Sequence, residues 1–89
     1  MSLEDYIERL HELPCVVCWK KLGVKTYGVH THHAGEPEER NDWAQIPLCP
    51  EHHEGATGIH GLRRRPFYRF WKTNNNELLA WTNEAKEKF

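Results

Sequence analysis

Four residues in two pairs have the types and the spacing of ligands to one structural metal ion. Cys15 and Cys18 stand three positions apart, and Cys49 and His52 repeat that spacing farther along the chain. Two turns that each present two soft or borderline ligands can close around one tetrahedral zinc ion. A redox-active dithiol at 15 and 18 is the alternative, but it assigns no role to Cys49 or His52. The two pairs therefore predict a structural zinc site.

A surplus of histidines suggests a second, catalytic site. The chain contains seven histidines, and five of them are grouped outside the predicted zinc pairs: His30, His32, His33, His53 and His60. Because His53 directly follows the ligand His52, we expect it to project towards the strand end that carries His32 and His33. Imidazoles suit a divalent ion with open positions for water and a phosphate oxygen, and a neutral histidine can take a proton from water near neutral pH. This combination predicts phosphodiester hydrolysis.

The alternation of side chains along a strand leaves one ligand open. His30 and His32 share a face, whereas His33 points the opposite way unless the strand ends or bulges there. His30 is therefore an alternative to His32 as a metal ligand. His11 matches no pattern, and we expect it to be a surface residue.

A basic segment with interleaved aromatic residues follows the histidines. Its cations are Arg63, Arg64, Arg65, Arg69 and Lys72, and they alternate with the aromatic residues of 67–71. Such a segment can follow a phosphate backbone with one face and pack its aromatic rings into a core with the other. The alternative is a helix whose aromatic rings pack into the core while its arginines are merely solvated, and the two interpretations are compatible because one face can pack while the other binds. These five cations are therefore the candidate DNA-binding residues.

The first half of the chain predicts a helix and a β-hairpin. Ser2 is expected to cap a helix that ends before Pro14. Strands are expected at 24–31 and 43–48, with a polar loop at 34–41 between them.

The second half predicts mainly helices. A short helix from Pro50 is expected to end at the glycines 55 and 58, with 59–61 as a linker into the basic segment. Asn75 or Asn76 is expected to cap a last helix. The chain therefore predicts one small zinc-stapled α+β domain over 1–89, with an N-terminal helix (1–13), a zinc core (14–61) and a basic aromatic segment with a C-terminal helix (62–89).

Composition limits the class of protein. A chain of 89 residues with 38% hydrophobic content supports one modest core, which favours a metal staple. Three cysteines, two of them in Cys-x-x-Cys, favour metal binding in a reducing compartment, so we expect a cytoplasmic protein with no membrane association. The net charge of −1 gives no overall basic field, which predicts DNA affinity that falls steeply with salt.

Four motifs together resemble a known family. They are Cys-Val-Val-Cys at 15–18, His-Thr-His-His at 30–33, Ile-Pro-Leu-Cys-Pro-Glu-His-His at 46–53 and Gly-Ile-His-Gly at 58–61. They resemble the HNH endonucleases of the ββα-metal, treble-clef type, and more narrowly the phage recombination-enhancement nucleases that act with the host RecA filament. The resemblance extends over about residues 13–81. It implies DNA as substrate, RecA as a partner, and a phage or prophage protein acting in the cytoplasm of a bacterial host.

The resemblance also implies roles for individual residues. His33 would be the general base, and Asn41 or Asp42 would orient it, with Asp42 preferred. A divalent ion, which could be magnesium, manganese, nickel or zinc, would be held by three histidines: His32, His53 and His60. The products would carry 5′-phosphate and 3′-hydroxyl ends.

Three functions compete at this point. A metal-dependent DNA endonuclease or nickase accounts for the converging histidines. A non-catalytic zinc module that binds nucleic acid, or a protein-interaction adaptor built on the zinc scaffold, would need only the zinc ligands and the basic segment. The histidine surplus favours the nuclease, and the sequence leaves the oligomeric state open.

Overall fold

The computed structural model describes residues 1–89. The protein contains one two-stranded antiparallel sheet, with helices before and after it along the chain. Strands β1 (His30–His33) and β2 (Gln45–Leu48) pair with His30 opposite Leu48 and His33 opposite Gln45. The helices, in chain order, are α1 (Leu3–His11), α2 (Pro50–Glu54), α3 (Ile59–Leu62), α4 (Arg64–Trp71) and α5 (Asn75–Lys88). The protein is therefore a small α+β structure, as predicted.

Helix α1 begins and ends where the sequence predicts. The Ser2 hydroxyl accepts a hydrogen bond from the backbone N–H of Asp5, and the helix ends at His11, ahead of Pro14. Its apolar face, with Tyr6 and Leu10, packs with Leu13 and with Ala85 of α5 in a small cluster. The two terminal helices are thereby joined to each other away from the sheet.

The main core lies beneath the sheet and encloses the cysteines. It includes Cys15, Cys18 and Cys49 together with Ile46 and Leu48 of β2 and Phe67 of α4, all buried. Residues Cys18–Leu22 form a π-helical turn that ends at Gly23, which has a left-handed φ of 69°. The cysteines of the predicted zinc site are thus part of the core rather than attached to its surface.

The first strand lies later in the chain than predicted. The expected strand at 24–31 is wrong, because β1 is His30–His33. Thr26 instead accepts a hydrogen bond through its carbonyl from the Cys15 N–H, and Gly28 turns the chain with a φ of 77°. Only after that turn is the backbone free to pair with β2.

Three smaller boundaries also differ from expectation. The second strand starts at Gln45 rather than at 43, and a 3₁₀ turn at Pro37–Glu39 lies within the predicted loop. Helix α5 is capped by Asn74, whose side chain accepts from the Glu77 N–H, and not by Asn75 or Asn76. Asn75 instead accepts a hydrogen bond from the Gly35 N–H, which ties the start of α5 to the hairpin loop.

The predicted linker at 59–61 is wrong, because these residues belong to helix α3. Gly58, which caps α3, and Gly61, which lies within it, allow the backbone to pack closely. A Cβ at Gly58 would lie 2.6 Å from the Glu51 carbonyl oxygen, and a Cβ at Gly61 would overlap the Gly55 carbonyl oxygen. Helix α3 therefore folds directly back against α2.

No helix combines the length and the apolar character that crossing a membrane requires.

Candidate metal centres and active site

The four residues of the predicted zinc site converge in the core. Cys15, Cys18, Cys49 and His52 are all buried, with their ligand atoms within 4.8 Å of one another. The Nδ1 atom of His52 lies 3.5, 3.4 and 3.2 Å from the three sulfurs in chain order, and the sulfurs of Cys18 and Cys49 are 3.8 Å apart. A tetrahedral zinc ion would set these separations at about 3.5 Å for S···N and about 3.8 Å for S···S. The donor set and its dimensions fit a metal ion such as zinc.

The electrostatics of this cluster agree with a cation at its centre. Burial raises the pKa of the Cys15 thiol to about 12, and it also raises that of Cys18. Burial lowers the pKa of His52, which keeps its ring neutral. Because only thiolates and neutral imidazole bind metal, a nearby cation is needed to stabilise the ionised sulfurs in this core. The ring of Trp71 packs edge-on against His52, with the ring centroids 4.8 Å apart, so α4 contacts the site.

Three histidines from three different segments form a second cluster. His32 comes from β1, His53 from α2 and His60 from α3, and their ligand atoms lie within 4.8 Å of one another. His53 is carried by the same short helix as the ligand His52. His60 reaches the cluster because α3 packs closely against α2. The three imidazoles can offer one nitrogen each to a divalent ion.

Their surroundings keep two of these rings neutral. Burial, followed by the neighbouring His53, His60 and Arg64 in that order, lowers the pKa of His32 to about 4. Burial, followed by His60 and His30, also lowers the pKa of His53. Neutral rings are the form that binds metal, so near pH 7 no proton has to be displaced from either residue.

His33 pairs with Asp42 beside this cluster. The Nε2 atom of His33 lies 2.9 Å from Oδ1 of Asp42. Asn41, the sequence alternative, accepts a hydrogen bond from the Trp43 N–H instead. The structure thus brings Asp42, and not Asn41, to His33.

Hydrogen bonds from α1 and β2 hold the Asp42 loop. The Tyr6 hydroxyl donates to the Trp43 carbonyl at 2.8 Å and accepts from the Gln45 N–H at 3.1 Å. The side-chain amide of Gln45 donates to the Asp42 carbonyl. Sequence reasoning missed Tyr6 and Gln45, because neither lies in a motif and their contacts join distant parts of the chain.

Both histidines at the end of β1 face one cavity. The cavity has a volume of about 330 Å³, and its lining includes His32, His33, His53, His60 and Arg64. Because β1 ends at His33, the expected opposition of neighbouring strand residues does not separate His32 from His33. His30, the alternative to His32 as a metal ligand, does not belong to the group formed by His32, His53 and His60. Its potential ligand atom lies close to those of His53 and Glu54 instead.

The five predicted DNA-binding cations do not share one environment. Arg63, Arg65, Arg69 and Lys72 are exposed. Arg64 is half-buried at the cavity, donates to Glu36 at 2.7 Å, and has a buried Nε with no hydrogen-bond partner. His11 is exposed, as expected.

The fold and its two clusters define a small α+β protein with a buried Cys₃His metal-binding set and an adjacent group of histidines. The chain belongs to the family described as recombination enhancement, RecA-dependent nuclease, whose sequence model matches residues 3–69. The match covers both clusters and most of α4, and it ends before α5. Comparisons with curated proteins and with solved structures find no match.

Proposed function

We propose that this protein is a metal-dependent DNA endonuclease or nickase of the HNH type. In this proposal residues 1–89 form one ββα-metal, treble-clef domain, in which β1, β2 and α2 are the ββα unit. The observation that carries the proposal is that His33, which is paired with Asp42, lines one cavity together with His32, His53 and His60. Membership of a nuclease family supports it.

The two clusters take different metal roles in this proposal. The Cys₃His set holds structural zinc, and the three histidines hold one divalent ion, for which nitrogen ligands favour manganese, nickel or zinc and borrowed phosphate oxygens would permit magnesium. When bound, that ion supplies positive charge for the phosphate oxygens and the departing 3′ oxygen.

His33 is the general base, and its contact with Asp42 decides which nitrogen acts. Asp42 accepts a hydrogen bond from Nε2–H, so Nδ1 of the neutral ring carries the free lone pair. Nδ1 takes a proton from water while the water oxygen forms a bond to phosphorus and the P–O3′ bond breaks. The departing 3′ oxygen takes up a proton from solvent water, so the products carry a 5′-phosphate and a 3′-hydroxyl. Asp42 keeps the ring in the productive tautomer and stabilises the imidazolium that forms.

The DNA is held by the basic face of α4 and the residues next to it. Arg63, Arg65, Arg69 and Lys72 are exposed and can neutralise backbone phosphates. Arg64 lines the cavity itself, and in this proposal it contacts the phosphate that is cut. The other partner in this proposal is RecA, which the family description names. The protein would then act in the cytoplasm of a bacterial host, as a phage or prophage product.

Nicking of supercoiled plasmid at low salt tests the proposal. Native protein would be compared with His33→Ala in magnesium, manganese or nickel, with and without RecA filaments. The expected result is metal-dependent cutting by the native protein, reduced by about 10²–10⁴-fold in the variant. DNA binding without cutting under every condition would overturn the proposal in favour of a non-catalytic nucleic-acid-binding module.

A further inference from the structure

His30 contacts one member of the histidine cluster without belonging to it. Its Nδ1 atom lies 3.0 Å from Nδ1 of His53, with the two ring planes at 80° to each other. His30 and His32 occupy the same face of β1, and the ring of His53 lies within 5.4 Å of both rings, centroid to centroid. The strand therefore brings two histidines into contact with the His53 ring.

The contact leaves one nitrogen of His53 available to a metal ion. A hydrogen bond between the two Nδ1 atoms engages that nitrogen of His53, so Nε2 is the atom it can offer. In a neutral ring, an unprotonated Nε2 requires the proton to be on Nδ1, where it is donated to His30. Metal-binding histidines generally have such a partner on the second nitrogen, which fixes the tautomer and the orientation of the ring.

We propose that His30 is a positioning residue, which sets the tautomer and the ring orientation of His53 so that Nε2 faces the catalytic ion. This inference rests on the proposed function, because it assumes that His32, His53 and His60 bind that ion. It assigns a role to the histidine that the three-residue cluster leaves out.

The same residues could instead bind an ion of their own together with Glu54. The geometry favours the positioning role, because the Glu54 carboxylate is 3.9 Å from Nδ1 of His53 and its side chain is 66% exposed. His30 and His53, in contrast, are already at hydrogen-bonding distance. Glu54 therefore provides a matched control for the role of His30.

Zinc titration with a competing chelating dye tests the role. The starting protein is the full chain purified with one zinc equivalent, which occupies the cysteine site, and the quantity measured is the affinity for the second equivalent. We expect His30→Ala to weaken that affinity by about 10–100-fold. His30→Asn should restore most of it, because the Oδ1 of asparagine is bonded to Cγ, as Nδ1 is in histidine, and can accept the same hydrogen bond from Nδ1 of His53. Glu54→Gln should have no effect.

The tautomer itself provides a second measurement. In ¹⁵N-labelled protein, the ring-nitrogen shifts of His53 should report a proton on Nδ1 in the native chain and a mixture of tautomers in His30→Ala. If His30→Ala altered only the packing around His53, the ring-nitrogen shifts of His53 would still report a proton on Nδ1, as in the native chain.

Each other result contradicts the inference in a different way. Unchanged second-ion affinity in His30→Ala would overturn the role of His30 and leave the proposed nuclease site intact. The loss of one bound equivalent in both His30→Ala and Glu54→Gln would make these residues direct ligands of a separate ion. Native protein that binds only the first equivalent would overturn the proposed catalytic ion site as well.

Discussion

Nε2 of His33 lies 2.9 Å from Oδ1 of Asp42, and this contact joins the last residue of β1 to the loop that leads into β2. In the proposed mechanism this contact determines which nitrogen acts as the base, because a proton on Nε2 is donated to the carboxylate and Nδ1 is left with the free lone pair. Our first prediction concerns the dependence of the two residues on each other.

Asp42→Ala should lower the rate of DNA cleavage by releasing the ring and the tautomer of His33. His33→Ala should lower the rate more than Asp42→Ala does, by about 10²–10⁴-fold relative to the native protein. Because Asp42 acts through His33, the double variant should be no slower than His33→Ala alone. Single-turnover cleavage under saturating metal measures all three. Independent, multiplying losses would contradict the proposed relationship.

The cysteine cluster should be required for folding. Cys49→Ser replaces a thiolate with a poor zinc ligand at a buried position, so the zinc-binding contribution to the free energy of folding should be lost. The expected result is the loss of bound zinc and of the cooperative thermal transition in circular dichroism. His60→Ala is the control, because His60 is exposed and lies outside the cysteine cluster. A cooperatively folded Cys49→Ser protein would show that the ion is dispensable for the core.

The close packing of α3 on α2 should control the histidine cluster. Gly58→Ala would place a Cβ 2.6 Å from the Glu51 carbonyl oxygen, so α3 must shift and carry His60 with it. We expect a loss of about 1–3 kcal/mol in the free energy of unfolding, together with weaker binding of the second metal equivalent. Chemical denaturation and metal titration measure the two effects.

Gly28→Ala separates backbone strain from this displacement. Gly28 has a φ of 77°, and a Cβ added there would meet no other side chain or backbone atom within 4 Å. Alanine at this position should therefore cost about 1–2 kcal/mol through strain alone. It should leave the second-ion affinity unchanged. Equal effects of both variants on metal binding would mean that the close contact at Gly58 has no special role.

Two neighbouring arginines should have different roles in DNA cleavage. Arg65 is exposed, so Arg65→Ala should weaken DNA binding. It should also reduce the slope of log K against log salt concentration by about one, since one fewer counterion is released. Arg64 lines the histidine cavity, so Arg64→Ala should reduce cleavage even at saturating DNA. Binding isotherms at several salt concentrations and single-turnover rates distinguish the two. Matching effects on rate at saturation would contradict the separate placement of Arg64.

The positions of several segments could not be predicted from local patterns. The valine-containing stretch at 24–29 has strand composition, but the Cys15 N–H bonds to the carbonyl of Thr26 and the turn at Gly28 delays pairing until His30. Three consecutive asparagines at 74–76 offer the same capping chemistry, and the tertiary contact of Asn75 with Gly35 accompanies capping by Asn74. Such choices depend on partners distant in the chain.

The sequence by itself determined which residues are candidates for the zinc site and which histidines are candidates for catalysis. Ligands three positions apart are brought together by a single local turn, so their spacing carries the information. The family resemblance already named His60 with His32 and His53 and preferred Asp42 to Asn41, but only the tertiary structure decided that these side chains meet and that Arg64 differs from its neighbours. These relationships depend on the close approach of α3 to α2 and on the pairing of β1 with β2, and neither leaves a periodic signal in the chain.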